Sequence, residues 1–328
     1  RTEQSISEDI KRKVALFCNI SEDAVIESAN AETIYDVPLL MQKERLDEVV
    51  LNKFRLASDS KPDIKEWKRF LERLKNPKQK LRIGLVGKYI ELKDSYLSIN
   101  ESIIHAGVHN DTEVSVEWIH SESLTDENVA DQLGSLDGLI VAPGFGERGI
   151  EGKIAAVKYA REHNLPFLGI CLGMQCAVIE FARNVLKLEE AHTTEINAHA
   201  QDPVIFLMED QKTVTDKGGT MRLGAWKCEL TPQSLAEKVY GKPTITERHR
   251  HRYELNNAYI DDLEHAGLVC SGKNKETGLV EIVELPNHPW FMGVQYHPEY
   301  KSTVAEPHPL FVSFIGAAKT KKQKDNKN

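Results

Sequence analysis

LPFLGICLGMQ, at residues 165–175, combines a short apolar run, a cysteine and the start of a helical segment. The run reaches Gly169, Cys171 follows two residues later, and Gly173 begins a segment with helical periodicity. A strand, a tight turn and a helix with a nucleophile at the turn form a nucleophile elbow. A helix N-terminus favours an anion, and therefore a thiolate. A lone cysteine is more often a buried core thiol, so the surrounding sequence has to decide between the two interpretations.

The segments around this stretch alternate between strands and helices. Upstream, strands are predicted at 81–86, 114–119, 138–142 and 166–170, and helices at 99–108 and 154–162. The helix after Cys171 carries an apolar stripe, formed by Met174, Ala177, Val178, Phe181 and Val185. This order predicts an α/β fold with a doubly wound, mostly parallel sheet. Ligands of such sheets bind at the carboxyl ends of the strands, where Cys171 lies.

The sequence beyond residue 200 is richer in strands. We expect added antiparallel strands that extend the sheet, at 203–207, 223–230, 253–255, 267–270, 279–285 and 291–295. A helix is predicted at 309–318, and the lysine-rich residues 319–328 are predicted to be a disordered basic tail.

The first 56 residues carry too little apolar material to form a core unaided. A helix is predicted at 7–13, a strand at 14–18, and one or two helices between 38 and 54. We interpret residues 1–56 as the end of a domain, and residues 57–80 as a linker that contains a charged helix around 67–74. Because residue 1 is arginine and the sequence begins as if inside a domain, we expect the chain to be a fragment.

Composition limits the classes of function. The 328 residues are 41% hydrophobic and carry a formal net charge of −8, which argues against nucleic acid as a partner. No apolar run approaches the length of a membrane span. The five cysteines are an odd number without a C-x-x-C pair, so neither a disulfide framework nor a zinc site is indicated. We therefore expect a cytoplasmic protein.

Two further motifs supply what a cysteine nucleophile needs. In QYHPEY, at residues 295–300, the proline keeps the preceding residue extended, so His297 and Glu299 can project to the same side. The carboxylate would then hold the imidazole in the tautomer that shuttles protons. In APGFGERG, at residues 142–149, glycines can turn amides inward, and the amides of Gly144 and Leu172 are candidates for binding an oxyanion.

These motifs together carry a resemblance to known enzymes. GICLGMQ with the downstream YHPE resembles the class I, or triad, glutamine amidotransferases. PGFGERG, GGTMRLG at 218–224 and ERHRHRYE at 247–254 are similar to the CTP synthase family within that class. The resemblance implies that residues 81–318 are the class I glutamine amidotransferase domain. It also implies that residues 1–56 are the C-terminal remnant of the synthetase (amidoligase) domain.

The resemblance also implies roles for single residues. Cys171, His297 and Glu299 match the catalytic triad of the family. The positions that match glutamine-binding residues are Gly144, Leu172, Gly173, Met174, Gln175, Glu195 and Arg252. A carboxylate suits the α-ammonium of glutamine, and a guanidinium suits its α-carboxylate. The positions that match nucleotide-binding residues are Lys13, Ala29, Asn30 and Ala31. The loop 218–224 resembles the region linked to activation by GTP.

The activity implied by the resemblance has two parts. Cys171 would hydrolyse glutamine through a γ-glutamyl thioester, and the ammonia would serve the ATP-dependent amination of UTP to CTP. ATP and Mg²⁺ are expected in the synthetase domain, GTP as an allosteric activator, CTP as the product and a homotetramer for the full-length enzyme. The glutaminase domain is expected to need no cofactor or metal, since His249 and His251 have no evident third ligand. The alternatives are a free-standing γ-glutamyl cysteine hydrolase and a regulatory module with a vestigial site.

Overall fold

The structure is a computed structural model that describes residues 1–56, 62–207 and 221–327. It divides into two compact units, Arg1–Lys75 and Asn76–Asn328.

The described part of the first unit is helical. Its α-helices are α1 (Glu8–Cys18), α2 (Val37–Lys43), α3 (Leu46–Phe54) and α4 (Lys65–Lys75). The one or two helices expected between 38 and 54 are confirmed, as the two helices α2 and α3. The strand predicted at 14–18 is wrong, because these residues complete α1. No helix breaker precedes Asn19, whose left-handed backbone (φ 51°) ends the helix.

Helix α4 contributes to the apolar interior of this unit. Its residues Phe70 and Leu71 are buried, and the Phe70 ring lies 4.9 Å from the Tyr35 ring in an edge-to-face arrangement. Trp67 Nε1 donates a hydrogen bond to the Tyr35 carbonyl at 2.8 Å. The helix predicted around 67–74 inside the linker segment 57–80 is therefore present, and it is packed. Residues 57–61 of that segment lie outside the described residues.

The second unit is built on a nine-stranded sheet, in the order β2-β1-β3-β4-β12-β11-β10-β7-β8. A second sheet of three strands has the order β5-β6-β9. The strands are β1 (Gln79–Gly87), β2 (Thr112–His120), β3 (Gly138–Val141), β4 (Phe167–Ile170), β5 (Ala191–Thr193), β6 (Asp202–Leu207), β7 (Arg222–Leu230), β8 (Thr244–His251), β9 (Tyr253–Leu255), β10 (Val269–Lys273), β11 (Val280–Glu284) and β12 (Phe291–Val294).

The pairing of neighbouring strands changes once across the large sheet, from parallel to antiparallel. From β2 to β12 the five neighbouring strands are parallel, and from β12 to β8 they are antiparallel. This confirms the predicted α/β fold with added antiparallel strands. Strands β6 and β9, however, pair with each other in the small sheet and do not extend the large one. The prediction is wrong on that point, because Val204 and Ile205 of β6 are buried in the same cluster as the apolar side chains of α8.

Helices cover both faces of the large sheet. In the described part of this unit they are α5 (Leu97–His109), α6 (Val129–Leu133), α7 (Ile150–Glu162), α8 (Leu172–Asn184), α9 (Leu235–Tyr240), α10 (Ile260–Ala266) and α11 (Pro309–Asp325). Leu139 and Val141 of β3 are buried with apolar residues of α7 and α8. Ile140, between them, is buried on the other face with apolar residues of α5 and α11. The alternation follows from the two-residue period of a strand and confirms the doubly wound arrangement.

The C-terminal segment is more ordered than the sequence predicts. Helix α11 continues to Asp325, so the prediction of a disordered tail from 319 is wrong for most of its length. Lysines are good helix formers, and here they have partners. Lys319 Nζ donates to the Asn110 carbonyl at 2.9 Å, and Lys322 forms an ion pair with Asp137 at 3.1 Å.

Candidate active site

The turn between β4 and α8 holds Cys171 in a strained conformation. Its backbone has φ 52° and ψ −103°, a combination that costs a non-glycine residue about 1–3 kcal/mol. The Cys171 N–H donates to the Val294 carbonyl at 2.7 Å, which ties the turn to the end of β12. The predicted nucleophile elbow is thus present, and its sulfur lies at the carboxyl end of the parallel strands.

The glycines that flank the cysteine allow strand and helix to approach each other. A Cβ atom on Gly173 would lie 2.2 Å from the Val141 carbonyl oxygen, and one on Gly169 would lie 2.7 Å from the Gly173 carbonyl carbon. Cβ atoms are not found at such distances, so both positions require glycine. The spacing G-x-C-x-G is therefore a consequence of how closely α8 packs on β3 and β4.

His297 and Glu299 reach the cysteine because β4 and β12 are parallel neighbours. Ile170 pairs with Val294, so the residues that follow each strand emerge at the same edge. His297 Nδ1 lies 2.7 Å from Glu299 Oε1, and both side chains are buried. The His297 ring also stacks on Tyr300 at 5.1 Å. A carboxylate beside Nδ1 fixes that nitrogen as the donor. The other ring nitrogen, Nε2, is then the one that can exchange a proton in the site.

The electrostatics of His297 favour its protonated form. Burial favours the neutral ring, but the side chains of Cys171 and Glu299 outweigh burial and raise the pKa of His297 to about 11. Among the described residues, its buried Nε2 has no hydrogen-bond partner of ordinary geometry. An imidazolium beside the cysteine stabilises a thiolate. The site therefore places a protonated imidazole, with its Nε2 proton available, beside the side chain of Cys171.

The glycine-rich loop after β3 lies beside the first turn of α8. A Cβ atom on Gly144 would be 3.4 Å from Leu172 Cδ2. Leu172 is the first residue of α8, so its N–H has no acceptor within the helix. At the other end of the loop, the Gly146 N–H donates to Glu195 Oε1 at 2.9 Å. The loop thus brings the predicted oxyanion donors and one predicted glutamine-binding carboxylate to the same region.

The other predicted glutamine-binding residues lie in two different parts of the fold, three in α8 and one between β8 and β9. Gly173, Met174 and Gln175 are buried in the first turn of α8. Gln175 Nε2 donates to the Tyr253 carbonyl at 2.9 Å and to Gln295 Oε1 at 3.1 Å. Both amide hydrogens of Gln175 are therefore used inside the protein. Arg252 lies between β8 and β9.

Sequence reasoning missed two residues close to the cysteine. Gln295 is fully buried, and its Nε2 lies 3.5 Å from Cys171 Sγ. Lys153, in α7, is also buried, its pKa is lowered by burial, and its Nζ donates to the Ala142 carbonyl at 2.8 Å. For Gln295 a signal existed, because it directly follows a strand in the same motif as His297. For Lys153 no signal existed, because a single lysine in an otherwise apolar helix face does not indicate a role in a site.

A buried polar chain lies in the antiparallel part of the sheet. Arg222 lies 2.7 Å from Glu281, and the second oxygen of Glu281 lies 3.0 Å from His249 Nε2. His249 Nδ1 in turn lies 3.0 Å from His251 Nε2. Burial lowers the pKa of His251 to about 3 and raises the pKa of Glu281 to about 7. Within the described residues, no group of three or more His, Cys, Asp or Glu side chains is arranged to hold a metal ion.

The predicted nucleotide-binding residues lie in the first unit. Lys13 is an exposed residue of α1, and Ala29 forms an isolated bridge with Thr2, next to Asn30 and Ala31. Of the loop 218–224, residues 218–220 lie outside the described residues. No helix in the described ranges is long and apolar enough to cross a membrane.

Comparisons with known proteins agree with this geometry. Residues 91–317 match the family model for glutamine amidotransferase class-I, and residues 1–56 match the one for CTP synthase N-terminus. CTP synthase of Christiangramia forsetii is 63% identical over 97% of this chain and 58% of its own length. That of Flavobacterium johnsoniae is 61% identical over 97% of this chain and 59% of its own length. The chain thus spans less than two thirds of these curated relatives.

A solved structure supports the same assignment. The glutaminase domain of Trypanosoma brucei CTPS with bound acivicin matches 73% of this chain and 94% of its own, with 38% identity and a TM-score of 0.68. The match covers nearly the whole of that domain, and its identity is well above the level at which only a fold is shared. The elbow, the sheet order and these relatives lead to one conclusion. The chain belongs to the class-I glutamine amidotransferase family, in the branch of the CTP synthases.

Proposed function

We propose that this chain hydrolyses glutamine to glutamate and ammonia through a γ-glutamyl thioester on Cys171. The observation that carries the proposal is the meeting of three side chains at one sheet edge. Cys171 occupies a strained turn, and His297, held by Glu299 at 2.7 Å, has a raised pKa beside it. This arrangement supplies a nucleophile, a proton donor and a group that orients the donor.

Acylation uses the charges already present in the site. The Cys171 thiolate attacks the side-chain amide carbon of glutamine, and the carbonyl oxygen becomes an oxyanion. The amides of Gly144 and Leu172 are the proposed donors to this oxyanion. His297 gives its proton to the amide nitrogen, the carbon–nitrogen bond breaks, and ammonia leaves. The product is a thioester between Cys171 and the γ-carbonyl.

Deacylation reverses the role of the imidazole. A water molecule attacks the thioester carbon and transfers a proton to the neutral His297. The carbon–sulfur bond breaks, glutamate is released, and the thiolate–imidazolium pair is restored. Glu299 holds the ring in one orientation through both steps.

Substrate binding is proposed to use opposite charges at the two ends of the amino-acid group. Glu195 would bind the α-ammonium and Arg252 the α-carboxylate. Support for the first comes from the hydrogen bond between Glu195 and the Gly146 N–H, which holds the carboxylate beside the glycine-rich loop. In α8, Gln175 keeps only its Oε1 atom for a ligand, because both of its amide hydrogens are donated to protein groups.

In the complete protein, we propose that the ammonia serves the ATP-dependent amination of UTP to CTP. The match of residues 1–56 to the CTP synthase N-terminus supports this. The same proposal includes ATP with Mg²⁺ in the synthetase domain, with Lys13 and residues 29–31 touching nucleotides, GTP as an activator and a homotetramer. A cytoplasmic location is supported by five free cysteines.

The test is release of ammonia and glutamate from glutamine, compared with cleavage of γ-glutamyl peptides. We expect glutamine to be the better substrate, and we expect Cys171→Ala to remove the activity while the thermal unfolding curve is kept. A matched control is Cys176→Ala, since that buried thiol has a pKa raised to about 12 by burial. Full activity in the Cys171→Ala variant would refute the nucleophile, and preference for γ-glutamyl peptides would favour a free-standing hydrolase.

A further inference from the structure

Gln295 contacts the sulfur that the proposed chemistry uses, yet it has no role in the steps above. It is fully buried directly after β12, two residues before His297. Its Nε2 atom lies 3.5 Å from Cys171 Sγ, a distance typical of a hydrogen bond to sulfur. An amide nitrogen carries hydrogens and a thiolate has none to give, so the donor must be Gln295.

The orientation of this amide is fixed by a backbone carbonyl. Tyr253 O can only accept a hydrogen bond, so the amide of Gln175 must present Nε2 to it, at 2.9 Å. The second hydrogen of the same Nε2 points to Gln295, which must therefore present Oε1, at 3.1 Å. The Nε2 of Gln295 is then left facing the sulfur. One carbonyl thus determines the orientation of two amides.

The Tyr253 carbonyl is itself held from a second direction. His251 Nδ1 lies 3.1 Å from it. Since burial keeps the His251 ring neutral, one ring nitrogen carries the hydrogen, and only Nδ1–H can pair with a carbonyl. His251 Nε2 is then an acceptor, and it receives the hydrogen of His249 Nδ1 at 3.0 Å. The carbonyl is therefore positioned by the buried histidines of β8.

We propose that Gln295 is a positioning residue for Cys171, which it holds and stabilises as a thiolate by donating a hydrogen bond to Sγ. Gln175 and the Tyr253 carbonyl keep its amide in the donating orientation. The inference rests on the proposed role of Cys171 as the nucleophile. A thioester sulfur is a poorer acceptor than a thiolate, so the bond is strongest before attack and after release of glutamate.

The test measures the reactivity of Cys171 directly, without glutamine. Iodoacetamide alkylates thiolates and releases iodide, and peptide mass spectrometry follows each cysteine separately as a function of pH. Cys18 is exposed and serves as an internal reference. Replacing Gln295 by Met keeps the length of the side chain but removes the donor, and Gln295→Glu places a carboxylate against the sulfur. Gln132→Met makes the same change as the first variant at an exposed position of α6.

We expect the midpoint of the Cys171 profile to rise by about one pH unit in Gln295→Met, so that alkylation below the midpoint slows roughly tenfold. The midpoint should rise further in Gln295→Glu and stay unchanged in Gln132→Met. KM for glutamine should change little in Gln295→Met while kcat falls. Gln175→Met leaves Gln295 in place but frees its amide to rotate, so a smaller rise in the midpoint is expected.

Equal Cys171 profiles in the wild-type chain and in Gln295→Met would overturn the proposal. If that variant does not fold, as judged by urea unfolding, Gln175→Met decides, and an unshifted profile there has the same meaning. A different result would overturn the proposed function itself. If wild-type Cys171 had the same pH midpoint as Cys18, the cysteine would not be an activated nucleophile, whatever Gln295 contributes.

Discussion

The close approach of α8 to β3 gives the sharpest prediction for a single substitution, Gly173→Ala. The added Cβ would lie 2.2 Å from the Val141 carbonyl oxygen. That oxygen belongs to the backbone of a buried central strand, so it cannot rotate away as a side chain would. To restore an ordinary contact of 3.4 Å, helix and strand must separate by roughly 1 Å. The first turn of α8 carries Leu172, so the separation also displaces the proposed oxyanion donor.

Both stability and activity should fall by amounts that can be estimated. Overpacking costs about 1–3 kcal/mol, and we expect the upper part of that range because the clash involves two backbones. The helix propensity of alanine returns about 1 kcal/mol, which leaves a net loss of about 2 kcal/mol. For a unit of this size the midpoint of thermal unfolding should drop by roughly 4–8 °C. A displacement of 1 Å in an active site can lower the rate about 100-fold.

The matched control is Gly316→Ala in α11. Here the nearest atom to the added Cβ is Asn110 Oδ1 at 3.5 Å, an ordinary contact. The same change should therefore raise the free energy of unfolding by up to about 1 kcal/mol and leave the glutaminase rate unchanged. Calorimetry and ammonia release measure both variants. If Gly173→Ala were as stable and as active as Gly316→Ala, the explanation of the G-x-C-x-G spacing by close packing would be wrong.

Three further predictions concern buried titratable groups. Lys153→Met removes the donor to the Ala142 carbonyl, so the glycine-rich loop should be less well held. We expect kcat to fall about tenfold with KM nearly constant, and an unchanged kcat would contradict this role. Glu299→Gln removes a cause of the raised pKa of His297. The alkaline limb of the pH–rate profile should therefore move to lower pH, and kcat should fall at least ~100-fold. An alkaline limb at the wild-type pH would exclude the ion pair between His297 and Glu299. Burial lowers the pKa of His251 from 6.5 to about 3, so the unfolded chain binds the extra proton as pH falls below 6.5. The free energy of unfolding should then decrease by up to about 1.4 kcal/mol per pH unit, and urea unfolding at pH 7 and pH 5 should show a smaller decrease in His251→Gln.

The core of the fold could be predicted from the sequence because its signals are local. The parallel strands β1, β3 and β4 are short apolar runs, and each is followed by a segment with helical periodicity. The elbow was predicted because a close approach of two backbones demands glycine at two positions. Strand β8, in contrast, carries the alternating charged sequence ERHRH, and its histidines and Glu247 face the interior. A pattern of apolar residues cannot reveal a strand whose buried face is polar.

Errors at both ends of the chain have a physical cause. Residues 14–18 are apolar and fit a strand or a helix equally well over so short a run. The helix is decided by its continuity with Glu8 and by the left-handed Asn19. At the C-terminus, the partners of Lys319 and Lys322 lie about 200 residues away in sequence, so nothing local indicated that these lysines would be held.

The sequence indicated which residues make up the candidate site, but it did not indicate the hydrogen bonds between them. The proposed triad follows from residue types in two motifs, while the contacts of Gln175 and Gln295 depend on where the Tyr253 carbonyl lies. That carbonyl belongs to a short strand of the small sheet, and no side-chain pattern encodes its position.

The pairing of β4 with β12 has a consequence for how the chain folds. Cys171 and Gln295 are 124 residues apart, and closing a loop of that length is a slow, non-local event. The imidazole that we propose activates the sulfur arrives only when β12 has entered the sheet next to β4. Until then the sulfur lacks this neighbour, so the proposed activation does not expose a chain emerging during synthesis to premature modification. On this proposal, enhanced reactivity of Cys171 would be a chemical marker that the sheet is complete.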